Sequence, residues 1–295
     1  MKLLLSGATG FIGKHLLRRL LSEDHSVHAV IRPNSDQDAL EAQKVQTFVF
    51  DGSVEALTMF LTSKKFDGVI HLASLYLKQH KPIDVLTLVD SNVAFGAALL
   101  EAAAQSGTPW FLNTGTFWQH YQDAPYAPVN LYAATKQAFQ DIAQYYAETS
   151  SVNIVTLQLS DTFGPNDTRP KIFNLWAKAA KTREALEMSG GEQLIDISYI
   201  DNVIDGYLQL AKLLAADTHR AQQGRVFALT SGNPISLREL ARVFEKVTKL
   251  TLPIVWGKRP YMHREVMRPW SKGEKIPGWK PNVSLEEGIK RTFHE

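Results

Sequence analysis

The sequence predicts an α/β fold, a doubly wound parallel sheet with a smaller mixed lobe appended toward the C-terminus. Three observations predict it. Short apolar runs alternate with longer segments of helical periodicity, a glycine-rich turn joins the first run to the first helical segment, and the regular alternation stops after Gly164-Pro165.

The predicted strands are 2–6, 26–31, 45–50, 68–73, 110–113 and 153–159, each short, apolar and bounded by turn residues. Between them, 11–21, 54–62, 85–104 and 131–149 carry apolar residues at helical spacing. Beyond Gly164-Pro165 the chain reads as mixed helices, loops and short strands, with Trp, Pro and Arg collected between Trp256 and Trp279. No Gly/Ser-rich spacer separates the two regions, and the patterns at 195–200 and 225–229 are of a kind that can rejoin the main sheet.

Composition narrows the function classes. A net charge of +2 gives no basic stripe for nucleic acid. No continuous run of about 18 apolar residues is present, so the reading is a soluble protein without a membrane span. Met1 to Leu5 starts like a signal peptide, but the apolar run breaks at Ser6-Gly7 and is read as a buried strand. With no cysteine, disulfides and thiolate chemistry are excluded, which suits a cytoplasmic location, and the nine histidines show no metal-ligand pairing.

Gly7-Ala8-Thr9-Gly10-Phe11-Ile12-Gly13 stands where the first strand ends and the first helix begins. Gly7 suits the tight turn, Gly10 a close approach of backbone to a pyrophosphate, and Gly13 close packing of helix on strand. The free N–H groups of the helix N-terminus favour phosphate there. The segment is therefore read as a dinucleotide site of Rossmann type, in a cofactor domain 1–165. Residues 166–295 are mainly a substrate-binding lobe, with segments near 194–215 and 225–230 returning to the main domain. The second strand ends at Arg32 rather than at an Asp or Glu that would bond a ribose 2′-hydroxyl. A guanidinium suits the 2′-phosphate of NADP, so NADPH is the expected cofactor with NAD the alternative, although a strand-end arginine is also ordinary surface. Asp51, followed by Gly52, is a candidate to contact adenine or, equally, to cap the next helix.

Tyr132-Ala-Ala-Thr-Lys136 opens the last long helix of the first region, and the spacing of four puts phenol and ammonium on one face. A cation beside a phenol favours its ionised form and brings it toward acid/base range. Thr114 lies at the carboxyl end of the preceding strand, where open α/β sheets bind ligands. Its hydroxyl suits a substrate oxygen beside Tyr132, or a local turn.

Gly7 to Gly13, His71-Leu72-Ala73-Ser74, Asn92, Thr114, Tyr132 with Lys136, Phe163-Gly164-Pro165 and Asp196 to Asp201 together resemble the NAD-dependent epimerase/dehydratase family, the extended short-chain dehydrogenases/reductases. The resemblance spans nearly the whole chain. It implies Tyr132 as general acid/base, Lys136 holding the nicotinamide ribose and lowering the tyrosine pKa, and Thr114 as the family's Ser/Thr. It also implies cofactor contacts at Gly7, Thr9, Gly10, Phe11, Ile12, Gly13, Arg32, Asp51, Gly52, Leu72, Ala73, Ser74 and Asn92. Family dehydratases carry Asp-Glu after the threonine, where this chain has Gly115-Thr116, so dehydration is disfavoured. The segment from Phe111 to Trp118 resembles CDP-abequose synthase-type nucleotide-sugar 4-ketoreductases rather than UDP-galactose 4-epimerase. The expected substrate is thus a CDP- or dTDP-linked 4-keto-6-deoxyhexose. A 4-epimerase with bound NAD, a non-catalytic NADP-binding redox sensor and a reductase of small ketones stand as alternatives.

Departures from the family pattern are Gln158, Asp161 and Ile195, at positions that are often Arg, Asn and Arg. Thr116, Asp161, Lys171, Arg259 and Arg264 are the candidate substrate contacts, the three cations as substitute diphosphate binders or as solvated surface charges. Helices 85–104 and 131–149 resemble the pair that makes an intermolecular four-helix bundle, implying a homodimer.

Overall fold

The computed structural model describes every residue except Asn34, Asp36, His294 and Glu295. In chain order the first region contains β1 (Lys2–Ser6), α1 (Phe11–Ser22), β2 (Ser26–Ile31), α2 (Asp38–Glu41), β3 (Gln46–Val49), α3 (Val54–Lys64), β4 (Gly68–His71), α4 (Asp84–Val89), α5 (Phe95–Gln105), β5 (Trp110–Thr116), α6 (Leu131–Thr149) and β6 (Asn153–Leu159). The remainder adds β7 (Asp161–Phe163), α7 (Ile172–Thr182), β8 (Leu186–Glu187), β9 (Leu194–Ile195), β10 (Ile197–Tyr199), α8 (Ile200–Ala216), β11 (Val226–Leu229), β12 (Ile235–Ser236), α9 (Leu237–Thr248), β13 (Ile254–Val255), β14 (Glu274–Lys275) and α10 (Leu285–Phe293).

Eight parallel strands form the main sheet in the order β14-β11-β6-β5-β4-β1-β2-β3. The central strands are mainly apolar and buried because both faces of the sheet are covered. Leu3, Leu5, Ile70, Leu112 and Leu157 face one layer together with Leu16, Leu17 and Leu20 of α1 and Val203, Tyr207 and Leu210 of α8. Leu4, Val69, Phe111 and Ile154 face the other, against Leu57, Leu61, Leu99, Leu100 and Phe139 of α3, α5 and α6. The strand order reverses between β1 and β4, which opens a crevice at their carboxyl ends.

Two expectations need correction. Segment 195–200 does not enter the main sheet: β9 pairs with β12 and β10 with β7, because Asp196 turns away between them to accept hydrogen bonds from Ser231 N and the Thr230 hydroxyl. Segment 226–229 does enter it, as β11 beside β6. The strand expected at 110–113 continues to Thr116, since Thr114, Gly115 and Thr116 keep pairing with Leu157, Gln158 and Leu159.

Helices α4 and α5 run into each other through a π-helical turn at Asp90–Ala94. This run, Asp84–Gln105, is long and apolar enough by length and composition to cross a membrane, although Asp90, Ser91, Asn92 and Glu101 interrupt it. Here Leu88, Leu99, Leu100, Ala102 and Ala103 are wholly buried, so one side is a sheet-covering face.

Candidate active site

Turn and helix chemistry place the glycine loop at the crevice. Gly7 adopts φ +73°, and the Gly10 N–H donates to its carbonyl at 3.0 Å to close the turn. Gly10 starts α1 without a side-chain cap, which leaves the first-turn N–H groups for a ligand. Behind the loop, the Ser6 hydroxyl lies 2.7 Å from His71 Nδ1 and accepts the Ala73 N–H at 3.2 Å, tying the ends of β1 and β4 together. From the opposite side Arg169 stacks 4.2 Å from the Phe11 ring centroid, and His15 Nε2 donates to the Pro165 carbonyl at 3.1 Å. The glycine loop is thus gripped by both regions of the chain.

A cleft of about 1400 Å³ runs from this loop across the carboxyl ends of the strands. Gly7, Thr9, Gly10, Phe11, Ile12, Gly13, Leu72 and Ser74 line one end; Thr114, Thr116, Tyr132 and Lys136 line the middle; Asp161, Lys171, Arg259 and Arg264 line the wall beyond. A bare glycine turn, an uncapped helix N-terminus and a lysine beside it in one groove fit a dinucleotide. Arg32, Asp51, Gly52, Ala73 and Asn92 are not part of the cleft wall. Arg32 is exposed just after the end of β2. Asp51 accepts the Ser53 N–H at 3.0 Å, and Ser53 rather than Asp51 caps α3. Asn92 is buried and fully used: it accepts from Leu75 N at 2.7 Å and donates to Leu75 O and to Thr135 Oγ1 at 3.0 Å each. Its contribution is to hold the Ser74–Tyr76 loop against α6.

Asn130 caps α6, accepting from Ala133 N at 2.9 Å, while its amide donates to Leu77 O and Lys78 O. This fixes Tyr132 in the first turn, its ring edge-on to Tyr76 at 5.1 Å. Burial pushes the Tyr132 phenol up to about 12 and the Lys136 ammonium down to about 8. The charge that most opposes the tyrosine shift is that of Lys171. Lys171 Nζ lies 3.0 Å from Asp161 Oδ1 and 4.6 Å from the Tyr76 ring centroid. This candidate diphosphate binder is therefore committed to an ion pair at the tyrosine end. Arg259 is exposed on the cleft rim, and Arg264 stacks 4.2 Å from the Tyr121 ring with its buried Nε lacking a hydrogen-bond partner.

Thr116 caps the short 3₁₀ turn Phe117–Gln119, and Gln119 and Gln158 fill the space above Gly115. A β-carbon at Gly115 would sit 2.7 Å from Gln158 Cγ and 2.9 Å from Gln119 Oε1. Sequence reasoning missed Tyr76, Arg169 and Tyr207, which reach the site from a loop, a turn and a distant helix; no local spacing marks any of them.

Similarity to known proteins agrees with this geometry. CDP-abequose synthase of Salmonella muenchen is 26% identical over 99% of this chain and 97% of its own. A probable UDP-glucuronate 4-epimerase of Rhizobium meliloti is 22% identical over 99% and 95%. Among solved structures, UDP-glucuronic acid 4-epimerase from Bacillus cereus with UDP-glucuronic acid and NAD superposes with a TM-score of 0.83 at 23% identity, covering 99% of this chain and 98% of that one. The dTDP-glucose 4,6-dehydratase of Streptomyces venezuelae gives 0.84 at 20%, covering 99% and 96%. The model of the NAD dependent epimerase/dehydratase family matches residues 3–226. With glycine loop, threonine, tyrosine and lysine assembled in one cleft, the chain belongs to that family and is a nicotinamide-dependent enzyme of the extended short-chain dehydrogenase/reductase type.

Proposed function

We propose that this enzyme reduces the 4-keto group of a nucleotide-activated deoxysugar, a CDP- or dTDP-linked 4-keto-6-deoxyhexose, with NADPH, Tyr132 acting as general acid. The observation that carries the reading is the supply of protons at the reacting end. Tyr132, held up to about 12, bears its proton at neutral pH, the form a ketone oxygen needs as it becomes an alkoxide. Positions 115 and 116 provide no second acid and base for elimination of water, and Gln158 and Gln119 occupy the space an acid at 115 would need. The cofactor, when bound, supplies the hydride. Thr114 bonds the same substrate oxygen, Lys136 holds the nicotinamide ribose, and Arg32 meets the 2′-phosphate of NADP. Residues 166–295 mainly enclose the nucleotide sugar, with Thr116, Asp161, Arg259 and Arg264 on its path and Lys171 nearest the sugar. Full-length similarity to CDP-abequose synthases supports the choice of a keto sugar.

The test is NADPH oxidation with CDP-, dTDP-, GDP- and UDP-linked 4-keto-6-deoxyhexoses. Stoichiometric consumption that disappears in Tyr132→Phe is the expected result. A second reading, 4-epimerisation with retained NAD, is favoured by the likeness to UDP-glucuronate 4-epimerases; interconversion of UDP-hexoses or UDP-hexuronates without net NADPH use would establish it instead. Exposed Ile83, Leu86 and Tyr145 on α6 and around α4 support a homodimer, readable as a doubled mass in solution that Leu86→Glu halves.

A further inference from the structure

Tyr207 stands in the middle of α8, fully buried, and its hydroxyl lies 2.8 Å from Thr114 Oγ1. Apart from Thr114, the described residues offer this phenol no hydrogen-bond partner. The helix that carries it packs directly on β5, so the contact is made between two rigid elements, 93 residues apart in the chain. A buried hydroxyl without a partner costs about 1–3 kcal/mol, so the pair is expected to persist. Burial, with Tyr132 nearby, holds the Tyr207 phenol above its ordinary value, and it stays protonated. With no other acceptor in reach, that proton points at Thr114. One lone pair of Oγ1 is then occupied, the threonine rotamer is fixed, and the threonine's own O–H is left to point elsewhere, into the cleft that Thr114 lines.

We propose that Tyr207 is a positioning residue: by donating to Thr114 Oγ1 it presents the threonine proton to the substrate oxygen that Tyr132 also serves. The inference rests on the reading above that Thr114 and Tyr132 handle this oxygen. It adds a third hydroxyl, out of contact with substrate, to the chain of hydrogen bonds at the reacting carbon.

Tyr207→Phe keeps the ring and deletes the donor. In the NADPH or the epimerase assay, whichever the wild type turns over, kcat is expected to fall about tenfold with KM unchanged, the size of one neutral hydrogen bond. Thr114→Val is expected to fall further, and the double variant no further than Thr114→Val alone, because the phenol acts only through the threonine. Multiplicative losses in the double variant, or a wild-type kcat in Tyr207→Phe, overturn the inference. Independently of any substrate, the Tyr207 hydroxyl proton, identified in NMR spectra by its absence from Tyr207→Phe, is expected to exchange slowly and to shift or vanish in Thr114→Val; an unchanged resonance there also overturns it. If instead Thr114→Val and Tyr132→Phe keep wild-type turnover, or the wild type turns over neither substrate set, it is the functional reading that falls, and the NMR result still decides the Tyr207–Thr114 pairing.

Discussion

The α-carbon of Gly13 faces the carbonyl of Gly7 so closely that a β-carbon there would lie 2.0 Å from the oxygen. No side-chain rotation relieves an overlap between two backbone segments. Gly13→Ala is expected to lose about 1–3 kcal/mol of stability or more, as overpacking does, together with NADPH binding. Gly10 differs, since a β-carbon there would meet only Gly7 O, at 3.3 Å. Gly10→Ala should melt close to the wild type yet bind NADPH at least tenfold more weakly, because its methyl enters the pyrophosphate path. Thermal melts beside nicotinamide fluorescence titrations separate the two; equal binding by Gly10→Ala and wild type would remove the loop from the cofactor site.

Arg32 is exposed, so its replacement costs little stability. Arg32→Ser should weaken NADPH by about tenfold, the value of a charge-assisted bond to phosphate, and leave NADH unchanged. Titration of both cofactors against both proteins reads this directly. A parallel loss of NADH would assign Arg32 to the loop's structure rather than to the 2′-phosphate.

His71 is buried without exposure to water, its Nδ1 meets Ser6, and its Nε2 lacks a hydrogen-bond partner. Burial, helped by Lys136, lowers its pKa from 6.5 to about 3. Between those values the unfolded chain takes up a proton that the native chain refuses. Stability is therefore lost as pH falls through this window, at up to about 1.4 kcal/mol per pH unit. Denaturant titrations at pH 6.5 and 4.5 should show His71→Asn losing less stability across the interval than the wild type, whatever its starting stability. An identical loss in both would mean that His71 is protonated in the native state.

Gly115→Asp places an acid where family dehydratases carry one. With Gln158 and Gln119 already there, it is expected to destabilise the chain by about 1–3 kcal/mol and to produce no loss of water from a nucleotide hexose. Mass spectrometry of the product settles the second point, and a dehydrated product would show that the glycine alone had set the reaction type.

The parts of this molecule legible in the sequence are those whose causes are local. The glycine loop follows from a strand end, three glycines and a helix start within seven residues, and Tyr132 and Lys136 share a face through helical periodicity alone. Segment 195–200 forms strands as its apolar residues suggest, but which partners they take depends on distant residues: β9 pairs with β12 and β10 with β7, and Asp196 finds Thr230 and Ser231 about 35 residues away. Lys171 carries the same charge whether it awaits a diphosphate or is paired to Asp161; only the fold decides. The bond between Tyr207 and Thr114 joins two elements with no shared pattern.

The π-helical turn at Asp90–Ala94 gives its helix one residue more per turn than the regular spiral, and Asn92 sits inside it. Every bond Asn92 makes to the Leu75 loop and to Thr135 depends on that surplus residue, since regular winding would swing the amide through about 100° per position. Deleting one residue from the turn, with every named residue kept in the chain, would turn the Asn92 amide away and detach the loop that carries Tyr76. Part of this enzyme's architecture is thus written in arithmetic, as the number of residues between two helices rather than the identity of any one of them.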